Sequence, residues 1–540
     1  MAGEDTNSRA REFILAQEAI VRPLEKAAGL AWWNANISGT DDDFKAKEEA
    51  QNKLDAALGD RTRFAQLKEI ETAHPSDKML ARQIHLLYLA ALEKQADPDL
   101  LKKMTAKGNA IEQAFNVFRT KVGEREMTDS QVDKVLKESK DSADRRAVWE
   151  GSKAVGAKVE KDLHELVLLR NQAARELGFK DYHVLQLFLN EQNQTNVLEL
   201  FDRLDDLTRD PFRAAKADID QRLARNYGIS VSELRPWHYQ DRFFQETPAV
   251  FDADLDSVYR NVDVLKLCRD FYSGIGLPID DVIQRSDLYE KPGKSPHAFC
   301  TDIDREGDVR VLGNIVANEY WMGTMLHEIG HSVYSSKNIP KNVPYFLRME
   351  AHILTTEGVA MMFERFSKSA DWLQSMGVKL PDPVAFQMAG QRMLRNHLLI
   401  FSRWCQVMLR FEKELYGNPD QDLNKLWWDL VEKYQRVKRP EGRNAPDYAS
   451  KIHIVVAPAY YHNYMMGQLF ASQVHHTIAR EVLKTSPASA SYTGHPEVGA
   501  FMKSRVFGPG RTLPWNELTR SATGADLNPA AFAADFQERQ

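Results

Sequence analysis

The chain has 540 residues, 43% hydrophobic, 10% aromatic and 27% charged, with 71 basic against 77 acidic side chains and a formal net charge of −6. Ordinary apolar content with only 28 Gly and 22 Pro excludes collagen-like, low-complexity and wholly disordered chains, and the charge balance offers no basic footprint for a nucleic acid. Cys268, Cys300 and Cys405 are too few and too far apart for a disulfide framework or a cysteine zinc site, and no apolar run reaches the roughly eighteen residues of a membrane helix.

In chain order, Met1 to Arg11 is polar and mixed in charge where a secretory signal would be apolar, so the chain as given reads as soluble and unexported, with its compartment left open. Residues 10 to about 230 read as stacked helices. Ile111, Ala114, Phe115 and Phe118 form an apolar stripe at three- and four-residue spacing, and a helix over Asp162 to Leu177 stops at Gly178. The stretch 232–250, with Pro236, Trp237, Phe243, Phe244 and Pro248, loses periodicity and is the candidate crossing between two lobes. Pro296–Ile303 and Val309–Ile315 are β-prone runs around Asp304–Asp308, which predicts a hairpin. Helical pattern resumes at Asn318, a fitting N-cap, and runs with few interruptions to about Tyr434. The tail from Ser486 to Gln540, richer in Ser, Ala, Gly and Pro, is expected to pack loosely.

The chemistry centres on His327-Glu328-Ile329-Gly330-His331. Four residues advance a helix by about 400°, so both imidazoles lie one turn apart on one face and can grip one tetrahedral ion. Glu328 can then reach a water at that ion without ligating, as a general base must. A satisfied core pair of histidines is the plain alternative, but Met322, Met325, Leu326 and Val333 make the helix largely buried, where an unliganded pair flanking a glutamate is costly to desolvate. A catalytic zinc keeps three protein ligands. On a helical run expected from Phe346 to Ser367, Glu350, Glu357 and Glu364 share one face, and Glu357 is favoured as third ligand because Thr355, Thr356 and Gly358 leave room for close approach. Glu350 or Glu364 is then expected to hydrogen-bond a ligand imidazole.

A late cluster runs Lys451-Ile-His453 to Pro458-Ala-Tyr460-Tyr461-His462-Asn463-Tyr464. With Pro458 opening a helix, Tyr461 and Tyr464 become neighbours on one face, where phenols can donate to an oxyanion; an aromatic core stripe is the plain alternative.

These features together resemble the angiotensin-converting-enzyme-like zinc peptidases, the peptidyl-dipeptidase A family. Ala31-Trp32-Trp33-Asn34-Ala35-Asn36-Ile37 is similar to an early family segment, Pro296-His297-Ala298 to the strand before the zinc helix, and Lys451-Ile-His453-Ile to a late one. Arg348, nine residues before Glu357, repeats the family's spacing from arginine to ligand. The resemblance implies an all-α, two-lobed helical ellipsoid, a single domain over 1–540, with a deep substrate cleft and a small β-sheet beside the zinc helix. It implies that His327, His331 and Glu357 bind one Zn2+ per chain, and that Glu328 deprotonates water and protonates the leaving amine. His297 and Ala298 would hold the substrate backbone, Ala298 on an edge strand that an extended peptide joins. His453 and Tyr464 would stabilise the oxyanion, while Lys451 and Tyr461 receive the peptide's terminal carboxylate, with Tyr460 able to replace Tyr461 because the spacing from His453 is one residue longer. Gln240 is the glutamine suggested to help hold that carboxylate. The family's chloride-binding arginine falls at His462 or Asn463, so chloride activation is doubtful.

The function so implied is hydrolysis of short peptides by release of C-terminal dipeptides. The alternatives are a thimet-type zinc oligopeptidase that cuts internally and, from another class, a catalytically inactive peptide-binding homologue.

Overall fold

Short polar side chains begin helix after helix. Asp60, Asp77, Asp97 and Asn193 each accept a hydrogen bond from a backbone N–H of the turn that follows, at 2.8–3.2 Å, filling donors a helix start leaves unpaired. The computed structural model describes residues 2–250 and 254–536. Nearly all of its regular structure is helical. The elements used below are α1 (Ala2–Ser38), the strands β1 (Thr120–Val122) and β2 (Arg125–Met127), α2 (Ser142–Glu176), β3 (Phe299–Asp302), β4 (Val309–Leu312), α3 (Glu319–Val333), α4 (Ile353–Glu364), α5 (Pro383–Gly417), α6 (His453–Val456) and α7 (His462–Thr477).

Two compact units emerge. The first gathers Met1–Gln95, Asp254–Gly390 and Met466–Phe532; the second gathers Ala96–Ala253, Gln391–Met465 and Ala533–Gln540. The aperiodic stretch 232–250 carries only two 3-10 turns, Val231–Glu233 and Pro236–His238, and lies inside the second unit, which ends at Ala253 before the chain passes to the first at Asp254.

The sheets are minimal. In the first unit β3 and β4 pair antiparallel, Phe299 opposite Leu312 and Asp302 opposite Val309, a shorter hairpin than the sequence suggests. Trp33 packs with Ile303 and Leu312, and Trp32 lies on Phe299 at 4.2 Å between ring centroids, which fixes the end of α1 against this hairpin. In the second unit β1 and β2 form another antiparallel pair, Thr120 opposite Met127, turned at Gly123 with φ +58°. Three-residue strands are too short to show a period of two, so this hairpin is invisible in the sequence.

Other expectations give way to packing. The helical pattern does not continue unbroken after Val333; the next α-helix starts at Ile353, and between them only Tyr345–Leu347 makes a 3-10 turn. The tail is not loose. Val498, Met502, Val506, Phe507, Leu518 and Phe532 are fully buried, each side chain contributing ~1.5–3 kcal/mol of transfer free energy if large and apolar. Small residues there serve close packing rather than disorder.

Candidate metal centre

Helix α3 starts where Asn318 accepts from the Trp321 N–H at 2.8 Å. Met322, Met325 and Leu326 are fully buried, so one face is anchored in the core and the His327/His331 face is fixed in direction. Across from it, α4 crosses at close range. A Cβ added at Gly330 would lie 2.8 Å from the Ala360 Cα, nearer than atoms pack, so glycine at the fourth place of the pentapeptide lets the two helices meet. Gly358 serves a different approach: its absent Cβ makes way for the Gly467 carbonyl of α7.

The meeting brings three donors together. One nitrogen each of His327 and His331 and one carboxylate oxygen of Glu357 all lie within 4.8 Å of one another, a group of the kind that can hold a metal ion. The Nε2 atoms are 3.1 Å apart, and Glu357 Oε2 is 3.5 Å from that of His327 and 3.9 Å from that of His331. Ligands 2.0–2.1 Å from one tetrahedral ion stand roughly 3.3 Å apart, so the donor set fits zinc with little movement. The opposite ring nitrogens are engaged elsewhere. His327 Nδ1 meets Glu364 Oε2 at 2.9 Å and His331 Nδ1 meets Thr356 Oγ1 at 2.7 Å, which turns both Nε2 atoms inward. Glu364 thus takes the supporting role left open between it and Glu350. Glu350 falls before α4 rather than on it, so it does not share the Glu357 face. Thr356 was missed because a hydroxyl inside a helix gives no signal beyond smallness.

Electrostatics describe a site awaiting a cation. Burial pushes the His327 imidazole down, but hydrogen bonds and charge from Glu357 and Glu364 outweigh it and hold its pKa well above the ordinary value. Burial and the His327 charge push His331 down to about 4. Burial would raise Glu357, yet His327 holds it below the usual carboxylate range. Glu328 is buried beside the cluster, and burial pushes its carboxyl up to about 7, with a backbone hydrogen bond from Cys300 of β3 pulling the other way.

Also in this unit, Ala298 immediately precedes β3, and His297 is exposed with its N–H donating to Ser295 Oγ at 3.3 Å. Among the described residues β3 pairs with β4 alone, and on its other edge the Cys300 N–H is engaged by Glu328.

The second unit holds a separate cluster. Lys451 Nζ donates to Gln245 Oε1 at 2.8 Å, and the Tyr461 hydroxyl stands 3.4 Å from the same oxygen. Three rings surround the ammonium, Phe243 at 5.1 Å, Trp404 at 5.2 Å and Tyr461 at 5.4 Å to the centroid. Burial pushes Lys451 down to about 8. Tyr461 is the tyrosine at Lys451; Tyr460 instead lies against Tyr464, 5.3 Å between centroids. Pro458 does not open the helix. α7 starts at His462, after Ala459 at φ +52°, yet Tyr461 and Tyr464 still meet at 5.4 Å. His453 sits 5.3 Å from the Tyr461 ring, with Nδ1 buried and no hydrogen-bond partner among the described residues.

Gln240 lies apart from Lys451 in its bonding. Its amide donates to the Tyr227 hydroxyl at 3.3 Å and its oxygen accepts from the Ala249 N–H at 2.7 Å, which holds the aperiodic stretch together; Gln245 is the glutamine at Lys451. No spacing distinguishes the two, because both lie in a segment without period. At the place of the family's chloride arginine, buried His462 and Asn463 are bonded to the two ends of one amide, Gln192, at 2.7 Å each.

A helical fold that sets two helix-borne imidazoles, a carboxylate and a buried glutamate together defines the class of metallopeptidases with a His-Glu-x-x-His helix. Comparison with known proteins agrees. Residues 4–234 match the family described as "Angiotensin-converting enzyme" and residues 283–538 match "Peptidase family M3". Angiotensin-converting enzyme of Theromyzon tessulatum is 19% identical over 535 residues, covering 92% of this chain and 85% of its own. That of Rattus norvegicus is 22% identical over 448 residues, 76% of this chain and 33% of its own, and the angiotensin-converting enzyme-like protein Ace3 of Mus musculus is 20% identical over 438 residues, 75% and 58%. The chain thus spans well under two thirds of the two rodent relatives. Taken together, the matches support an angiotensin-converting-enzyme-like metallopeptidase.

Proposed function

We propose that the chain is a zinc-dependent peptidase that releases dipeptides from the C-termini of short peptides. The observation that carries this reading is the inward convergence of His327 Nε2, His331 Nε2 and a Glu357 oxygen, with buried Glu328 adjacent in sequence. His327, His331 and Glu357 would hold the zinc, leaving the open position a catalytic site keeps. When bound, zinc supplies a Lewis acid that polarises a carbonyl and eases deprotonation of water.

The chain's own residues do the rest. Glu328 takes a proton from the attacking water and returns it to the leaving amine nitrogen; a carboxyl whose affinity for a proton is raised by burial suits both steps near neutral pH. Glu364 and Thr356 hold the imidazoles in place. The edge of β3 that no strand covers, with Ala298 before it and His297 beside it, can take an extended peptide as a further strand. His453 and Tyr464 carry the oxyanion role, and the buried, unpartnered Nδ1 of His453 is a group that lacks an acceptor until a ligand arrives. Lys451, Tyr461 and Gln245 receive the terminal carboxylate, which gives a buried ammonium the anion it lacks.

The second reading is an oligopeptidase that cuts internally. It is favoured by the match of 283–538, the half with the metal cluster, to a different peptidase family. Mass spectrometry of products from a heptapeptide and its C-terminal amide, with and without chelator, decides. Dipeptide release from the free acid alone, abolished by chelator and restored by zinc, is the expected result. Equal cleavage of acid and amide gives the oligopeptidase, and zinc binding with no turnover of any peptide gives the inactive homologue.

A further inference from the structure

Inside the second unit, the backbone between His453 and Tyr461 leaves several polar groups unpaired within its own segment. The α6 helix is a single turn, His453–Val456, too short to pair its last carbonyls internally, and Ala459 lies in the left-handed region at φ +52° without being glycine. Two buried charged side chains from distant helices take up these loose ends.

Arg170 of α2 donates from Nη1 to the Ile454 carbonyl at 3.2 Å and from Nη2 to the Val455 carbonyl at 2.6 Å. A further bond, from Nη1 to the Tyr416 hydroxyl at 3.1 Å, ties the guanidinium to α5. A cation at a helix C-terminus also answers the carbonyl dipoles gathered there. One turn before Tyr416 on α5, Glu412 accepts the Ala459 N–H at 2.8 Å. Glu412 is 1% exposed, and burial pushes its carboxyl up to about 8 despite the Arg170 charge. A carboxyl so disfavoured as an anion matters for what its oxygen accepts, and what it accepts is the one N–H that fixes the left-handed turn before Tyr460 and Tyr461.

We infer that Arg170 and Glu412 are positioning residues for the substrate-binding face of segment 453–461, Arg170 by gripping the carbonyls after His453 and Glu412 by holding the Ala459 turn before Tyr461. Neither touches His453 or Tyr461; both act through the backbone that carries them. The roles of His453 and Tyr461 rest on the function proposed above, whereas the locking itself does not.

The test uses the full-length, zinc-loaded protein and the variants Glu412→Met, Glu412→Gln and Arg170→Met, with zinc content and melting checked for each. Two readouts are taken: kcat and KM on a free-acid heptapeptide, and the rate of carbethoxylation of His453 by peptide mapping. Glu412→Gln keeps a carbonyl acceptor and should stay within about twofold of wild type, while Glu412→Met and Arg170→Met should lose about tenfold in kcat/KM, as other outer supports of a site do, with zinc content unchanged. His453 labelling should rise several-fold in the two Met variants only. Should a Met variant fail to fold, Arg170→Lys, which keeps the charge but cannot reach two carbonyls with a planar fork, replaces it with a smaller rise expected. Equal His453 labelling in every folded variant overturns the inference, as does an equal loss in Glu412→Gln and Glu412→Met. If wild type cleaves acid and amide alike, the dipeptidase reading falls, and the labelling alone then judges the locking.

Discussion

The metal cluster of the first unit and the lysine cluster of the second solve opposite electrostatic problems. Around His327, the imidazoles and the carboxylates of Glu357 and Glu364 face each other at 2.9–3.9 Å, so opposite partners are close at hand. Around Lys451, the ammonium donates to a neutral amide, the walls are aromatic, and among the described residues it makes no ion pair. In the function proposed above, the first region receives a positive ion and the second a negative group.

The largest expected effect breaks the first region while leaving it filled. Glu328→Gln should keep zinc stoichiometric yet lower kcat by roughly 10²–10⁴, the usual worth of a positioned proton carrier. Loss of zinc together with activity would instead make Glu328 a structural residue.

Breaking the second region comes next. Lys451→Met should lower kcat/KM on free-acid peptides by about 10- to 100-fold, the worth of a charge-assisted contact, and leave any slow cleavage of the amide unchanged. The pH dependence sharpens the contrast. The Lys451 ammonium is fully charged below its folded pKa of about 8 and is lost above it, so KM for the free acid should rise as pH passes about 8. The same profile measured on Lys451→Met should be flat there; a rise that persists in the variant assigns the titration to another group.

Smaller effects separate support from contact. Glu364→Gln, which weakens the grip on His327 Nδ1, should reduce zinc affinity about 10- to 100-fold in a chelator competition, whereas the same assay on Lys451→Met should show none. Smallest of all, Gln245→Leu should raise KM for the free acid a few-fold, while Gln240→Leu should lower the melting temperature with KM little changed. The reverse pattern would return the carboxylate role to Gln240.

The two regions also differ in how openly the sequence displays them. His327, Glu328 and His331 are legible because helical period alone places them, and Asn318 announces the helix that bears them. Glu357 is legible through its small neighbours Thr355, Thr356 and Gly358 and through its distance from Arg348 in a resembling family, since the backbone between Arg348 and the helix is mostly not helical. Gln245 is not legible at all. It meets Lys451 from 206 residues away out of an aperiodic stretch, and the same amide chemistry was available at Gln240.

What the sequence determined by itself is therefore what local rules can set: an almost all-helical chain, the helix with its two imidazoles, the β3–β4 hairpin and the candidates of the late cluster. Tertiary structure alone decided which carboxylates close on those imidazoles, which glutamine meets the lysine, that Pro458 leads into a left-handed turn instead of a helix, and that the small-residue tail is core. Each of those outcomes depends on pairing groups far apart in the chain, where desolvation makes one partner necessary without saying which residue must supply it.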